Sequence, residues 1–273
     1  MQGVKNNGVL VTGAGRGIGK RLAIGFANAG ARVGLLARSK AELDLAALEI
    51  EHAGGVSLRI RADVTDFEQM CAAVDRMRVQ FGGVQALICA AAIQGPIGPL
   101  AETTPKAWAD TITTNLIGAV NACRAVLPQM IERRSGKIIL LSGTGAAGPR
   151  PGFSAYAASK AAVVRLAETM AEEVSDHNVQ VNCMLPGSAY TSMTDEILRA
   201  GERAGWKENE EALEVRTTGG VPPEKQIQLA LFLASEQSNH ISGKLIHVSD
   251  DWKRLRNETL PPDLYTLRRL QRM

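Results

Sequence analysis

Val9-Leu10-Val11-Thr12-Gly13-Ala14-Gly15-Arg16-Gly17-Ile18-Gly19 is the stretch on which the reading of this chain turns. A short apolar run predicts a buried strand. Four glycines at alternate positions follow, and then a helical pattern runs to about residue 29. Glycines at a strand-to-helix turn let the backbone come close to a pyrophosphate, and the free amides and dipole of the helix start favour its negative charge. Tight turns also need glycine, so the cluster gains its meaning from its place after the first strand of an alternating chain.

Outward from that turn the alternation continues. Apolar runs at 32–37, 57–61, 86–89, 137–141, 179–184 and 245–248 predict six more strands. Helical patterns at 40–52, 67–81, 105–133, 155–177 and 223–235 lie between them. Pro128 falls inside the third of these helical patterns and is expected to kink or end it. The strands are nearly continuous apolar runs, as a parallel sheet covered on both faces requires. The expected fold is α/β: a single-domain, Rossmann-like, doubly wound parallel sheet of about seven strands with helices on both faces. Residues 1–252 form that domain, and 253–273 a basic C-terminal extension. Residues 188–222 are polar and acidic with Trp206 in the middle, and read as an inserted helical lid or a flexible loop.

Composition narrows the function. The chain has 273 residues, 45% hydrophobic and 22% charged, an ordinary globular balance that argues against disorder or a rod. No apolar run is long enough to span a bilayer, and the first seven residues lack signal-peptide regions, so a cytoplasmic protein is expected. The formal charge is +3, but residues 253–273 hold six basic residues against Glu258 and Asp263. That net +4 leaves −1 for the rest, which gives little support to nucleic-acid binding. Such a tail touches an anionic surface, stays solvated, or packs on a neighbouring subunit. Cys71, Cys89, Cys123 and Cys183 are scattered, with no paired spacing that would suit zinc, and read as small buried hydrophobes in a reducing compartment.

The end of the second strand bears on the ligand. An acidic residue there holds a free ribose 2′-hydroxyl, whereas an arginine forks onto a 2′-phosphate. The sequence reads Ala37-Arg38-Ser39-Lys40, so Arg38, with help from Arg16, favours NADP(H), with NAD(H) as the second choice. Further along, Tyr156 and Lys160 stand four apart and share one helix face. A phenol near pKa 10 is a poor acid–base group at neutral pH, and a neighbouring ammonium would improve it.

Taken together, the pieces resemble the classical short-chain dehydrogenase/reductase family over about residues 8–248. The resemblance rests on Thr12-Gly13-xxx-Gly17-x-Gly19, Asp63-Val64, Asn115-Leu116-x-Gly118, Tyr156-xxx-Lys160 and Pro186-Gly187-xxx-Thr191. It implies that Tyr156 is the acid–base residue and that Lys160 binds the nicotinamide ribose and lowers the tyrosine pKa. It implies that Asn115 supports a relay water and that a serine orients the substrate carbonyl. Gly13, Gly15, Arg16, Gly17, Ile18 and Gly19 would cradle the cofactor, Asp63 and Val64 would line its adenine, and Pro186, Gly187 and Thr191 would approach the nicotinamide. The resemblance also implies a homodimer or homotetramer paired through the helices that hold Asn115 and Tyr156.

Three departures qualify the carry-over. The usual Asn-Asn-Ala-Gly is Cys89-Ala90-Ala91-Ala92, which leaves the backbone of Ala90 and Ala91 to make that contact. The position thirteen before the tyrosine is Gly143, so the carbonyl-orienting hydroxyl is assigned to Ser142 through a one-residue insertion, ahead of Thr144. The last strand leads into Ser249-Asp250-Asp251-Trp252 in place of Asp-Gly-Gly. The expected activity is NADP(H)-dependent interconversion of a carbonyl and a secondary alcohol on a small molecule. The competing readings are an inactive NADP-binding sensor or structural subunit, and a non-redox enzyme on the same scaffold. Gln94, Arg150, Tyr190 and Trp206 fall in the loops expected to form the substrate pocket.

Overall fold

A computed structural model describes residues 3–256 and 258–268. Seven strands form one wholly parallel sheet. They are β1 (Gly8–Thr12), β2 (Arg32–Ala37), β3 (Val56–Arg61), β4 (Ala86–Cys89), β5 (Gly136–Leu141), β6 (Val179–Leu185) and β7 (Leu245–His247). The spatial order is β3-β2-β1-β4-β5-β6-β7. The chain winds outward from β1 in one direction and from β4 in the other, so a crevice opens at the carboxyl ends of these two strands.

Alternation of side chains divides the core into two layers. Val9 and Val11 of β1, with Ile139 and Leu141 of β5, pack with Leu22 and Phe26 of α1 (Gly17–Asn28). Leu43 and Ile50 of α2 (Lys40–His52) join the same layer. Leu10, Ile138 and Leu140 pack on the opposite side against Met70 and Met77 of α3 (Phe67–Phe81). Both faces are therefore apolar, which is why the strands read as continuous runs rather than alternating ones.

The expected helix at 105–133 is divided, but not by Pro128. It runs as α4 (Pro105–Ile112), a π-helical stretch at Thr113–Ile117, and α5 (Gly118–Glu132). Pro128 lies within α5 without ending it. A π-helical stretch widens the turn and re-aims its side chains, and here it carries Asn115. Gly118 follows because a Cβ there would lie 2.5 Å from Val64 Cγ2.

α6 (Ser154–Glu173) brings Tyr156 and Lys160 to the carboxyl edge of the sheet. Residues 188–222 are a helical lid: α7 (Ser192–Ala200) and α8 (Trp206–Thr218). α9 (Pro223–Leu233) returns the chain to the core. No helix among the described residues is long and apolar enough to cross a membrane.

The described part of the C-terminal extension is anchored on its own chain. Leu255 is buried, and the neighbouring Trp252 stacks on Phe232 with ring centroids 5.3 Å apart. Further on, Leu245 N–H donates to Tyr265 O at 2.7 Å, and Lys244 Nζ donates to the carbonyls of Pro261, Pro262 and Leu264. The extension thus covers the exposed side of β7, an edge that otherwise leaves backbone groups unpaired. Arg269 and Arg272 lie outside the described residues.

Candidate active site

A cleft of about 620 Å³ lies along the carboxyl ends of the strands. Its first wall is the β1–α1 turn. Gly13 has φ +68°, and a Cβ on it would stand 2.7 Å from Ala91 Cα. A Cβ on Gly19 would stand 2.3 Å from Gly13 O. Only glycine fits two backbones packed this closely. Gly13, Gly15, Arg16, Gly17, Ile18 and Gly19 all line the cleft, at the amino end of α1. Thr12 Oγ1 accepts from the N–H groups of Ala90 and Ala91 at 3.1 and 3.2 Å, which fixes the loop that replaces the family's Asn-Asn-Ala-Gly.

Arg38, Asp63, Val64, Ala90 and Ala91 line the same wall. Arg38 is exposed and stands 3.8 Å from Asp63 Oδ2, while Arg16 is exposed and stands 3.9 Å from Glu42 Oε1. Exposed pairs at such distances contribute about 0–1 kcal/mol, so either arginine is free to take an anionic ligand. Glu42 lies beyond residues 37–40, on which the sequence reading of this wall rests. It lies in the first turn of α2 and lines the cleft, against Gly15. The spacing Ser39-x-x-Glu42 is a helix-start pattern that could have located it, and Ser39 Oγ does accept from Glu42 N–H.

The opposite wall carries Tyr156, Lys160, Pro186, Gly187 and Thr191. The two walls meet where a Cβ on Gly17 would lie 3.3 Å from Thr191 Cγ2. Lys160 is buried, donates from Nζ to Leu141 O at 2.9 Å, and has its pKa pulled down to about 8 by burial. Its Nζ is 5.5 Å from the centroid of the Tyr156 ring. Burial pushes the Tyr156 phenol above its ordinary value, and the positive charge of Arg150 opposes that rise.

Asn115 is buried behind the cleft and its side chain is fully engaged. Oδ1 accepts from Ile93 N–H at 2.8 Å, and Nδ2 donates to Ile93 O and to Ser159 Oγ. Ser159 Oγ in turn donates to Tyr156 O at 2.7 Å. Asn115 therefore braces the loop before Gln94 against α6, while Thr114 lines the cleft in its place.

In the β5–α6 loop Ser142, Gly143 and Thr144 all line the cleft, and Gly143 rather than Ser142 stands against the tyrosine hydroxyl. Ser142 is buried, and its hydroxyl donates to Lys160 O at 3.3 Å. Gly143 is the residue that faces the tyrosine: a Cβ there would lie 2.6 Å from Tyr156 Oη. Successive side chains leaving a strand point opposite ways, so Ser142 turns inward and the position opposite Tyr156 has no side chain. Thr144 lines the cleft and is exposed.

Of the remaining loop residues, Gln94 and Arg150 line the cleft, whereas Tyr190 and Trp206 do not. Gln94 is buried and lines the cleft, and its Nε2 has no hydrogen-bond partner among the described residues. Arg150 forms a two-point ion pair with Glu208 of α8, Nε to Oε1 at 2.9 Å and Nη2 to Oε2 at 2.7 Å. The two side chains are 9% and 17% exposed. Tyr190 Oη donates to Asp195, away from the cleft lining, and Trp206 is exposed.

This arrangement can hold a dinucleotide against the glycine turn and present a tyrosine hydroxyl and an ammonium to the group bound beside it. Similarity to known proteins identifies the family. The profile of the short chain dehydrogenase family matches residues 7–201, and this chain belongs to that family. It is 33% identical over 240 residues to the 3-oxoacyl-[acyl-carrier-protein] reductase FabG of Thermotoga maritima, covering 88% of this chain and 94% of that one. Among solved structures it resembles a gluconate 5-dehydrogenase of Burkholderia cenocepacia in complex with NADP and tartrate. That match has TM-score 0.79 and 28% identity, and covers 89% of this chain and 94% of the other. An NAD+-bound xylitol dehydrogenase matches with TM-score 0.80 and 25% identity, over 89% of this chain and 97% of that one.

Proposed function

We propose that the chain is an NADP(H)-dependent oxidoreductase that interconverts a carbonyl and a secondary alcohol on a small, hydroxylated molecule. The observation that carries the reading is a single cleft lined by the glycine turn, Arg38, Tyr156 and Lys160. The glycine turn suits a dinucleotide because its glycines leave room that a Cβ would fill. NADPH, when bound, supplies the hydride. Arg38 and Arg16 are available to a 2′-phosphate, since each is exposed and weakly paired. Tyr156 gives or takes the proton at the substrate oxygen, and Lys160 orients the nicotinamide ribose. Gln94 supports a polar substrate: a buried amide without a partner is unfavourable by about 1–3 kcal/mol until a ligand satisfies it. The gluconate and xylitol dehydrogenases resembled by this chain are in keeping with such a substrate. The catalytic unit comprises residues 1–252, with 253–273 as its extension, and it assembles as a homodimer or homotetramer through α4–α5 and α6.

Fluorescence titration with NADPH and NADH, followed by NADPH oxidation against a panel of hydroxyketones and 3-oxoacyl thioesters, tests the reading. Tighter NADPH binding and turnover of a hydroxyketone are expected. Equal or tighter NADH binding removes the cofactor assignment. Preference for the thioesters removes the substrate class. A second reading, an NADP-binding protein without turnover, draws on Gly143, which offers no hydroxyl opposite Tyr156. NADPH binding with no oxidation across a broad carbonyl panel would favour it.

A further inference from the structure

Arg150 has no assigned part in the reaction, yet it is among the best-fixed charges in the cleft. Its guanidinium carbon lies 4.0 Å from the Phe153 ring centroid and 5.4 Å from that of Tyr156. Both of its bonds to Glu208 come from the lid helix α8. Tyr156 itself packs with the lid, in a small apolar cluster with Phe153, Ile197 and Ala212. The tyrosine thus has no side chain opposite its hydroxyl at Gly143, and beside its ring a cation whose charge is shared with a carboxylate of α8.

We propose that Arg150 is, beside Lys160, an electrostatic partner of Tyr156, and that Glu208 sets how much of the arginine's charge the tyrosine feels. The inference rests on Tyr156 being the acid–base group. Arg150 acts through that tyrosine and is therefore a positioning residue. A cation near a phenol favours phenolate, and a carboxylate paired with that cation offsets the effect. The other charged or titratable groups facing this region are few among the described residues. α6 supplies Lys160, α8 supplies Glu211 beside Glu208, and the end of β7 supplies His247. Residues of α7 that line the cleft are uncharged: Ser192, Met193, Thr194 and Ile197. Glu211 pairs with Lys207 at 3.8 Å on an exposed face. Glu208 is the carboxylate hydrogen-bonded to Arg150.

The consequence is a difference in sign. A purely structural ion pair is broken equally by removing either partner, so both changes should act alike. An electrostatic pair acts oppositely: Arg150→Met raises the titration midpoint of Tyr156 by about one pH unit, and Glu208→Gln lowers it by a smaller amount. The chain has three tyrosines, so [13Cζ]tyrosine labelling gives three resonances that Tyr156→Phe assigns. At one alkaline pH where the amide spectrum is still native, the ionised fraction of Tyr156 should fall in the order Glu208→Gln, unmodified protein, Arg150→Met. Arg150→Lys, which keeps the charge, should stay near the unmodified protein. If Arg150→Met does not fold, Glu208→Gln carries the test alone against the unmodified chain. Equal fractions, or both changes moving Tyr156 the same way, overturn the proposal. Turnover by Tyr156→Phe would overturn the acid–base reading instead, and the two failures are read from separate experiments.

Discussion

The two walls of the cleft solve different problems. The wall formed by the β1–α1 turn and the ends of β2 and β3 is made of backbone packed on backbone, with Gly13 against Ala91 and Gly19 against Gly13. The wall formed by the β5–α6 loop, α6 and the lid is made of side chains brought from distant segments. There Arg150 meets Glu208, Phe153 and Tyr156, and Gly143 faces not backbone but the far end of a tyrosine. The contrast teaches that the first wall, where Gly13 and Gly19 meet backbone, is intolerant of any added atom at those two positions, whatever its chemistry. In the second wall the chemistry of each side chain decides the outcome.

The largest effect should come from the second wall. Tyr156→Phe is expected to lower kcat by at least about 10³-fold while NADPH affinity changes only a few-fold, as the proposed role of the hydroxyl in the transition state requires. Steady-state rates beside a binding titration check it. A matching loss of affinity would instead make the tyrosine part of the cofactor wall. The first wall should break next. Gly19→Ala puts a Cβ 2.3 Å from Gly13 O, a backbone atom that cannot swing away. NADPH affinity should fall by about 10²-fold, with a lower melting temperature, as expected for overpacking. An unchanged dissociation constant would show that the wall yields more easily than its packing suggests.

Gly143→Ser is the counterpart on the tyrosine side, and sharpens the comparison. Its Cβ would displace Tyr156 Oη, the end of a side chain, so the fold should survive within about 1 kcal/mol while kcat falls about 10-fold. A rise in kcat would mean that the tyrosine moves aside and the new hydroxyl orients the carbonyl. Arg38→Asp should narrow or reverse an NADPH over NADH preference, by about 10-fold, through charge alone. The smallest effect belongs to Ser142→Ala. Its hydroxyl bonds Lys160 O within the fold, so the expected cost is about 1 kcal/mol of stability and a few-fold in rate. A loss approaching that of Tyr156→Phe would restore Ser142 to the chemistry.

The sequence by itself determined the sheet, the glycine turn and the tyrosine–lysine pair. Each depends on local order: apolar runs at strand length, glycines at a strand end, two residues one helical turn apart. The same locality explains what was misplaced. Pro128 marked a helix break by its own chemistry, yet packing let α5 continue and put the irregular turn at Asn115, where no breaker residue stands. Only the tertiary structure decided that Glu42 reaches the Gly15 turn, that Glu208 crosses to Arg150 from 58 residues away, and that Gly143, rather than Ser142, faces the tyrosine. Those facts depend on where a lid helix lands and which way a loop leaves its strand. A spacing such as thirteen residues before the tyrosine, or Ser39-x-x-Glu42, can mark a position, but the contact made there is set by the packing of the whole chain.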